Sequence, residues 1–228
     1  MDHAVVTEQT PEVAPQEPAA ARAYRALEQM IVTLELPPGG TTTEGALIER
    51  LGLGRTPVRE AIQRLAWEGL IEVRPRAGLA IAPLKARDWV SIIDARTGLE
   101  MVLARSAARN LTPDSGQELH RAARIMADAV TAGDVVSFLE ADKLLDEVMA
   151  KASDNPYAAR VVEPLQTHSR RFWYRFQRTD GLAQSAEHHV RLIRAILDRS
   201  EWQAKREAEK LMVMLRQLAE ANAARAAD

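Results

Sequence analysis

The sequence predicts a mainly α-helical protein with one small β-hairpin near residue 76. Apolar residues recur at three- and four-residue spacing through most of the chain, which is typical of amphipathic helices. Only two short alternating stretches, one on each side of Pro75–Gly78, have the pattern of strands. Ala, Leu, Arg and Glu dominate the composition and aromatic residues make up 4%, which also favours helices.

The composition excludes several classes of protein. At 228 residues the chain suits one large or two small domains, and 46% hydrophobic residues can build a core. It has no cysteine, so disulfides and thiolate metal sites are excluded. No apolar run is long enough to span a bilayer, and the first residues lack a signal-peptide pattern. We therefore expect a cytoplasmic protein with no membrane partner.

Residues 1–20 are rich in Pro, Glu, Ala and Thr and are expected to form a disordered tail. A helix is predicted from Ala21, and Leu36–Gly40 (LPPGG) ends it. Thr43-Glu44 begins a second helix, LGLG forms a turn, and a third helix runs from Arg55 or Thr56 to near Gly69.

Two strands follow, Ile71–Arg74 and Leu79–Ala82, joined by a tip at Pro75–Gly78. Three helices and then a hairpin is the order of a winged helix-turn-helix, predicted here over residues 21–83. The third helix opens with arginines and a threonine and is apolar behind, so its first turns can enter a DNA major groove. The predicted DNA-binding residues are Arg55, Thr56, Arg59, Arg64, Arg74, Arg76 and Gly78. The net charge is only −2, so any DNA affinity must come from this local cluster.

Residues 84–228 contain no further strand pattern and are predicted to form a helical bundle that can enclose a ligand. Gly-Asp, Asn-Pro and Asp-Gly breaks separate its helices. The six predicted helices are Asp88–Arg109, Pro113–Ala132, Asp134–Ala152, Pro156–Gln177, Leu182–Arg199 and Glu201–Ala224.

Residues 54–78, GRTPVREAIQRLAWEGLIEVRPRAG, resemble the GntR family of bacterial transcription regulators. The second half resembles the FCD domain of the FadR-type subfamily, in the motifs Ala95–Glu100, Ala152–Pro156 and Glu187–His189. The resemblance covers residues 21–225. It implies a homodimer that binds a double-stranded, pseudo-palindromic operator and responds to a small-molecule effector.

Two positions depart from the GntR pattern. Gly54 stands where the family usually has a serine cap, and glycine is an acceptable cap that costs about a few tenths of a kcal/mol. Gly45 stands where some members have an arginine that touches DNA, so that contact is expected to be missing.

Many FCD domains hold a divalent ion with one aspartate and three histidines. The resemblance matches Asp142 and His189 to two of these ligands, whereas Asp146 and Leu211 stand at the positions of the other two. Asp142, Asp146 and His189 are therefore the candidate ligands for Zn²⁺, Mn²⁺ or Ni²⁺. The alternative is that Asp142 and Asp146 are simply two acidic residues on the protein surface.

The resemblance implies an organic acid as effector, with Arg96, Asp142 and His189 as contacts. Arg96 can grip a carboxylate bidentately, but an ion pair with Glu100 on the same helix is the alternative. The run HSRRFWYRF (residues 168–176) is unusually aromatic and basic, and core packing is its default role.

The sequence thus favours a ligand-responsive transcription regulator, most often a repressor, and not an enzyme. The alternatives are a metal-responsive regulator, a constitutive DNA-binding protein and a metal-dependent helical enzyme that uses the candidate metal ligands.

Overall fold

The computed structural model describes residues 17–177 and 181–225. Its N-terminal half contains three helices and three short strands: α1 (Ala19–Val32), β1 (Thr41–Thr42), α2 (Glu44–Leu51), α3 (Arg55–Trp67), β2 (Ile71–Arg74) and β3 (Gly78–Ile81). Its C-terminal half is helical in every described element: α4 (Ala86–Arg109), α5 (Pro113–Ala132), α6 (Val135–Ala152), α7 (Pro156–Phe176), α8 (Gly181–Leu197) and α9 (Glu201–Arg225). The predicted architecture is confirmed.

The limits of the elements differ from the expectations by a few residues. Helix α1 begins at Ala19, so Ala19 and Ala20 belong to a helix and not to the predicted tail. The rest of the predicted tail, up to residue 16, lies outside the described residues. Strand β1 was not predicted, because two residues are too few to show an alternating pattern.

The sheet is antiparallel with strand order β1-β3-β2, so the hairpin of β2 and β3 is extended by one short strand. Thr42 pairs with Leu79, and Ile71 pairs with Ile81. Thr43 caps α2 by accepting a hydrogen bond from the backbone N–H of Ala46 at 3.1 Å. The three helices and the sheet share one core, which includes Leu27, Ile31, Leu47, Leu65, Leu70 and Ile81.

The bundle is built around α4, which packs against α7 and α9. Side chains of Thr112, Asp134 and Asn155 cap α5, α6 and α7, as the breaks in the sequence predicted. Trp89 is fully buried and stacks on Phe172, with ring centroids 5.9 Å apart. The aromatic run at residues 168–176 is thus partly a core element.

Helix α1 contacts both halves of the molecule. Leu27 and Ile31 lie in the N-terminal core, whereas Val32 belongs to the core of the bundle. On the other side of the junction, the buried guanidinium of Arg171 donates a hydrogen bond to the carbonyl of Ala82, at 2.6 Å. Helix α1 also packs against α7, so α7 contacts both α1 and the linker after β3 and positions one half against the other. In the part of the chain that is described, no helix combines the length and apolar character needed to cross a membrane.

Candidate functional site

The first turns of α3 present a polar face to solvent. Arg55, Thr56 and Arg59 are exposed there, while the opposite face buries Val58, Ala61, Ile62 and Leu65. This division follows from the 3.6-residue period, which places the two arginines one turn apart. The exposed face can donate hydrogen bonds to phosphates or guanine edges.

Arg59 is paired with Glu44 at the start of α2. Its Nη2 and Nε atoms lie 3.0 and 3.2 Å from the two carboxylate oxygens. Both side chains are solvent-accessible, so the pair contributes little to stability. A nucleic-acid phosphate or base can therefore compete with Glu44 for the guanidinium.

The predicted wing residues lie at the β2–β3 turn. Arg74 pairs with Glu72 at 2.8 Å, and Arg76 is exposed at the tip with a φ of +64°. Gly78 has a φ of +86°, and a Cβ atom there would lie 2.6 Å from the carbonyl oxygen of Thr42. Its glycine is thus explained by the close approach of β1, whatever else it contacts.

Arg64 is turned away from the exposed face that Arg55 and Arg59 share. Its guanidinium lies 3.8 Å above the ring of Tyr24 and pairs with Glu68 at 2.8 Å and with Glu163 at 2.5 Å. Glu163 belongs to α7, so Arg64 links the two halves. This geometry favours a structural role over the predicted DNA contact.

A buried polar cluster at the junction of α1 with α6 and α7 was not predicted. Glu28 is 3% exposed; it accepts a hydrogen bond from Thr167 at 2.6 Å and pairs with Lys143. Arg170 lies 3.8 Å from the same carboxylate. The available signal was the position of Glu28 beside Leu27, one turn from Tyr24, on the apolar face of α1.

In the bundle, the structure brings Asp142 and His189 together. His189 Nε2 lies 2.8 Å from the Asp142 carboxylate, and Nδ1 lies 2.6 Å from the carbonyl oxygen of Ser185. Burial opposes charge on the imidazole, but these two acceptors raise the pKa of His189 above its usual value. Burial alone would raise the pKa of Asp142; the hydrogen bond from His189 and the nearby cations outweigh it and lower that pKa to about 2.

Asp146 is buried and faces Arg170, so it is not one of two surface acids. Arg170 Nη1 lies 2.6 Å from the Asp146 carboxylate and 3.5 Å from that of Asp142. Burial, followed by the negative charges of Asp142 and Glu100, raises the pKa of Asp146. Sequence reasoning missed Arg170, because it lies far from both aspartates along the chain.

Arg96 makes the ion pair with Glu100 that was the alternative to a ligand contact. Its Nη2 lies 2.7 Å from the carboxylate, to which Gln166 also donates at 3.0 Å. The cavity that Arg96, Asp142 and His189 line is only about 20 Å³, enough for one water molecule. An organic acid would therefore have to open this pocket.

The predicted metal ligands do not form a coordination shell in this arrangement. Arg170 occupies the space between the two carboxylates, His189 is directed at Asp142, and Leu211 is a buried apolar residue. Within residues 17–177 and 181–225, no group of three His, Cys, Asp or Glu side chains is placed to hold an ion. The donor set present does not fit a divalent metal.

A larger cavity of about 550 Å³ lies between α1, α5 and α6. Arg25, Lys143 and Arg170 line it together with acidic residues and an apolar floor. Burial lowers the pKa of Lys143 to about 8. Arg170 thus borders both this cavity and the small pocket in the bundle.

Comparison with known proteins extends over both halves. The family model described as bacterial regulatory proteins, gntR family, matches residues 19–94, and the FCD domain model matches residues 91–214, more than half of the chain. The sequence is 31% identical over 130 residues to an HTH-type transcriptional regulator from the TAR-I ttuE–ttuC′ intergenic region of Agrobacterium vitis. That match covers 56% of this chain and 76% of the relative.

A second relative is the HTH-type transcriptional repressor RspR of Escherichia coli, 27% identical over 152 residues and 67% of each chain. The solved structure of E. coli McbR/YncC superposes with a TM-score of 0.75, covering 89% of this chain and 99% of that one. At 22% identity, this likeness shows the fold alone. Together, the two family models and the winged-helix and bundle architecture show that the chain belongs to the GntR family of DNA-binding transcription regulators, with a C-terminal FCD effector-binding domain, and is not an enzyme.

Proposed function

We propose that this regulator is a cytoplasmic repressor that binds a pseudo-palindromic operator as a homodimer. A small carboxylate that binds in the bundle would lower or raise the affinity for that operator. The single observation that supports the DNA half best is the exposed row of Arg55, Thr56 and Arg59 at the start of α3. Two such helices, related by a two-fold axis, would read two half-sites.

The proposed division of labour among the DNA-facing residues follows from their surroundings. Arg59 is the candidate for a base contact, because it lies one turn inside α3. To bind DNA it would give up only its solvent-accessible ion pair with Glu44. Arg55 and Thr56, at the helix start, are candidates for phosphate contacts, where the helix dipole also attracts anions. Arg74 and Arg76 would contact the backbone or minor groove from the wing.

The proposed effector contacts are Arg96, Asp142 and His189. Arg96 offers the positive charge that a carboxylate needs, and the Asp142–His189 pair offers a polar wall of low net charge. Because the pocket is closed around internal ion pairs, an acid must exchange with Glu100 or bind beside it. The acid would then bind the open form of the pocket more tightly than the closed form. Any response to an effector requires such a difference in affinity between two states.

A route from pocket to DNA-binding half supports the response. Arg170 touches the pocket carboxylates, donates to Thr167 at 3.1 Å, and lies beside Glu28 of α1. Movement of Arg170 would therefore change the contacts that hold α1 against the bundle. Since α1 is part of the DNA-binding core, its displacement would reorient α3.

Arg59→Ala and Arg105→Ala provide a matched test of the DNA half. Both arginine side chains are 56% exposed and each has an ion pair at 3.0 Å, but Arg105 lies on α4, away from α3. Affinity is measured by fluorescence anisotropy on a duplex selected from random DNA by the full-length protein. Arg59→Ala should weaken binding by about 1–3 kcal/mol while Arg105→Ala leaves it unchanged. Equal effects of the two variants would remove Arg59 from the proposed reading surface.

A further inference from the structure

Arg170 has a dense acidic environment for a side chain that is only 7% exposed. One nitrogen of its guanidinium faces Asp146 and Asp142, at 2.6 and 3.5 Å. The other lies 3.1 Å from the hydroxyl of Thr167 and 3.8 Å from Glu28. A planar, permanently charged group thus fills the centre of the acidic cluster, in the space where an ion bridging the two aspartates would lie.

Each acidic group around the pocket already faces a basic group. Asp142, Asp146 and Glu100 supply the carboxyl groups, and Arg96, Arg170 and His189 supply the groups that face them. The neighbouring Glu28 is matched by Lys143. A divalent ion would add two positive charges beside a buried guanidinium, and such like-charge contacts are strongly unfavourable in a site of low dielectric constant.

The donor atoms are also committed elsewhere. Nε2 of His189 faces the Asp142 carboxylate at 2.8 Å and Nδ1 faces the Ser185 carbonyl at 2.6 Å, so both ring nitrogens already have partners within the protein. The Asp146 carboxylate is directed at Arg170, and Leu211 is apolar. The carboxylate of Asp142 is engaged as well, by His189 at 2.8 Å and by Arg170 at 3.5 Å.

From this geometry we propose that Arg170 supplies the fixed positive charge of the bundle pocket in place of a divalent metal ion, so that the site binds a carboxylate on guanidinium groups alone. The effector role of the site rests on the proposed function. Asp146 is then the internal partner of Arg170, as Glu100 is of Arg96, and an incoming carboxylate would exchange with one of these two acids. Asp146 also lines a neighbouring cavity of about 360 Å³ with Lys151 and Arg160, which gives it room to move aside.

The test is a titration with metal alone. The full-length protein is dialysed against EDTA and then titrated with Zn²⁺, Mn²⁺ and Ni²⁺ by calorimetry, with Asp142→Asn as the control for binding elsewhere. The proposal predicts that any metal binding seen for the wild type is also seen for Asp142→Asn. About one ion per chain bound by the wild type and lost in Asp142→Asn would overturn it.

A gain-of-binding pair isolates the role of Arg170. The first variant combines Asp146→His with Leu211→His and keeps Arg170; the second adds Arg170→Met. The second variant should bind about one Zn²⁺ per chain, and the first should bind it about 100-fold more weakly, because its guanidinium remains between the donors. Equal affinity of the two variants, or binding by neither, would contradict the proposal.

Circular dichroism melting verifies that each variant is folded before titration. Both variants lack Asp146, so Arg170→Met in the second removes a guanidinium that has already lost this ion-pair partner. The histidine introduced at position 146 is uncharged when it ligates a metal. None of these measurements uses DNA. Failure of the metal-free pocket is therefore distinguishable from failure of the proposed DNA-binding function, which the Arg59 and Arg105 variants test separately.

Discussion

Replacing Glu28 with Gln should loosen the attachment of α1 to the bundle. Glu28 is 3% exposed, and its carboxylate faces Thr167, Lys143 and Arg170. Removing one partner of a buried ion pair typically costs about 3–5 kcal/mol. The amide oxygen of Gln can still accept from Thr167, and Lys143 is partly accessible, so we expect a loss of about 2–3 kcal/mol in the free energy of unfolding.

Urea unfolding followed by circular dichroism measures this loss. Glu140→Gln is the matched control. Glu140, on α6, accepts a hydrogen bond at 3.0 Å from Gln29, the neighbour of Glu28 on α1, but Glu140 is exposed. The control should cost less than about 0.5 kcal/mol. Lys143→Met in the Glu28→Gln background should cost less than Lys143→Met alone, since the pair is already broken. A Glu28→Gln protein as stable as the Glu140→Gln control would refute this account of the junction.

Three further substitutions test other parts of the structure. Gly78→Ala should lower the free energy of unfolding by about 1–3 kcal/mol, because its φ is positive and the new Cβ would collide with the Thr42 carbonyl; thermal melting at the wild-type temperature would contradict this. Tyr24→Phe should cost about 2 kcal/mol in urea unfolding, since the buried Glu68 carboxylate loses a hydrogen bond of 2.9 Å. His168 donates a hydrogen bond to the Glu68 carbonyl at 2.9 Å, and burial lowers the pKa of His168 below 6.5. As the pH falls, the unfolded chain therefore binds a proton at this histidine at a higher pH than the folded protein does. The stability advantage of wild type over His168→Gln should therefore shrink as the pH falls below about 6.5, and an advantage that grows on acidification would show that the sign is wrong.

The elements that could be predicted are those whose signal is local. Helix caps, Gly and Pro breaks and the 3.6-residue period located α2 to α9 within a few residues. The two-residue strand β1 was missed because its pairing with β3 is a contact between distant segments. The start of α1 was placed two residues late, because an Ala-rich stretch does not mark its own boundary.

The site was only partly predictable, for the same reason. The sequence suggested that Arg55, Thr56 and Arg59 share a helix face, and the structure places them on one exposed face. It left two interpretations of Arg96, a ligand contact or an ion pair with Glu100, and the structure shows the ion pair. The burial of Arg170 against two aspartates of α6 depends on how α6 and α7 pack, and spacing within one helix contains no information about that packing.

The most direct test of the account is the symmetry of the DNA that the protein selects. Full-length protein is incubated with random duplexes, and the bound sequences are enriched and read. The account predicts an inverted repeat whose half-sites are centred about one helical turn, or a multiple of it, apart, bound by two chains, with enrichment lost in Arg59→Ala. No enrichment, or an asymmetric sequence that Arg59→Ala still selects, would contradict the proposal of a dimeric operator-binding regulator that reads DNA with α3.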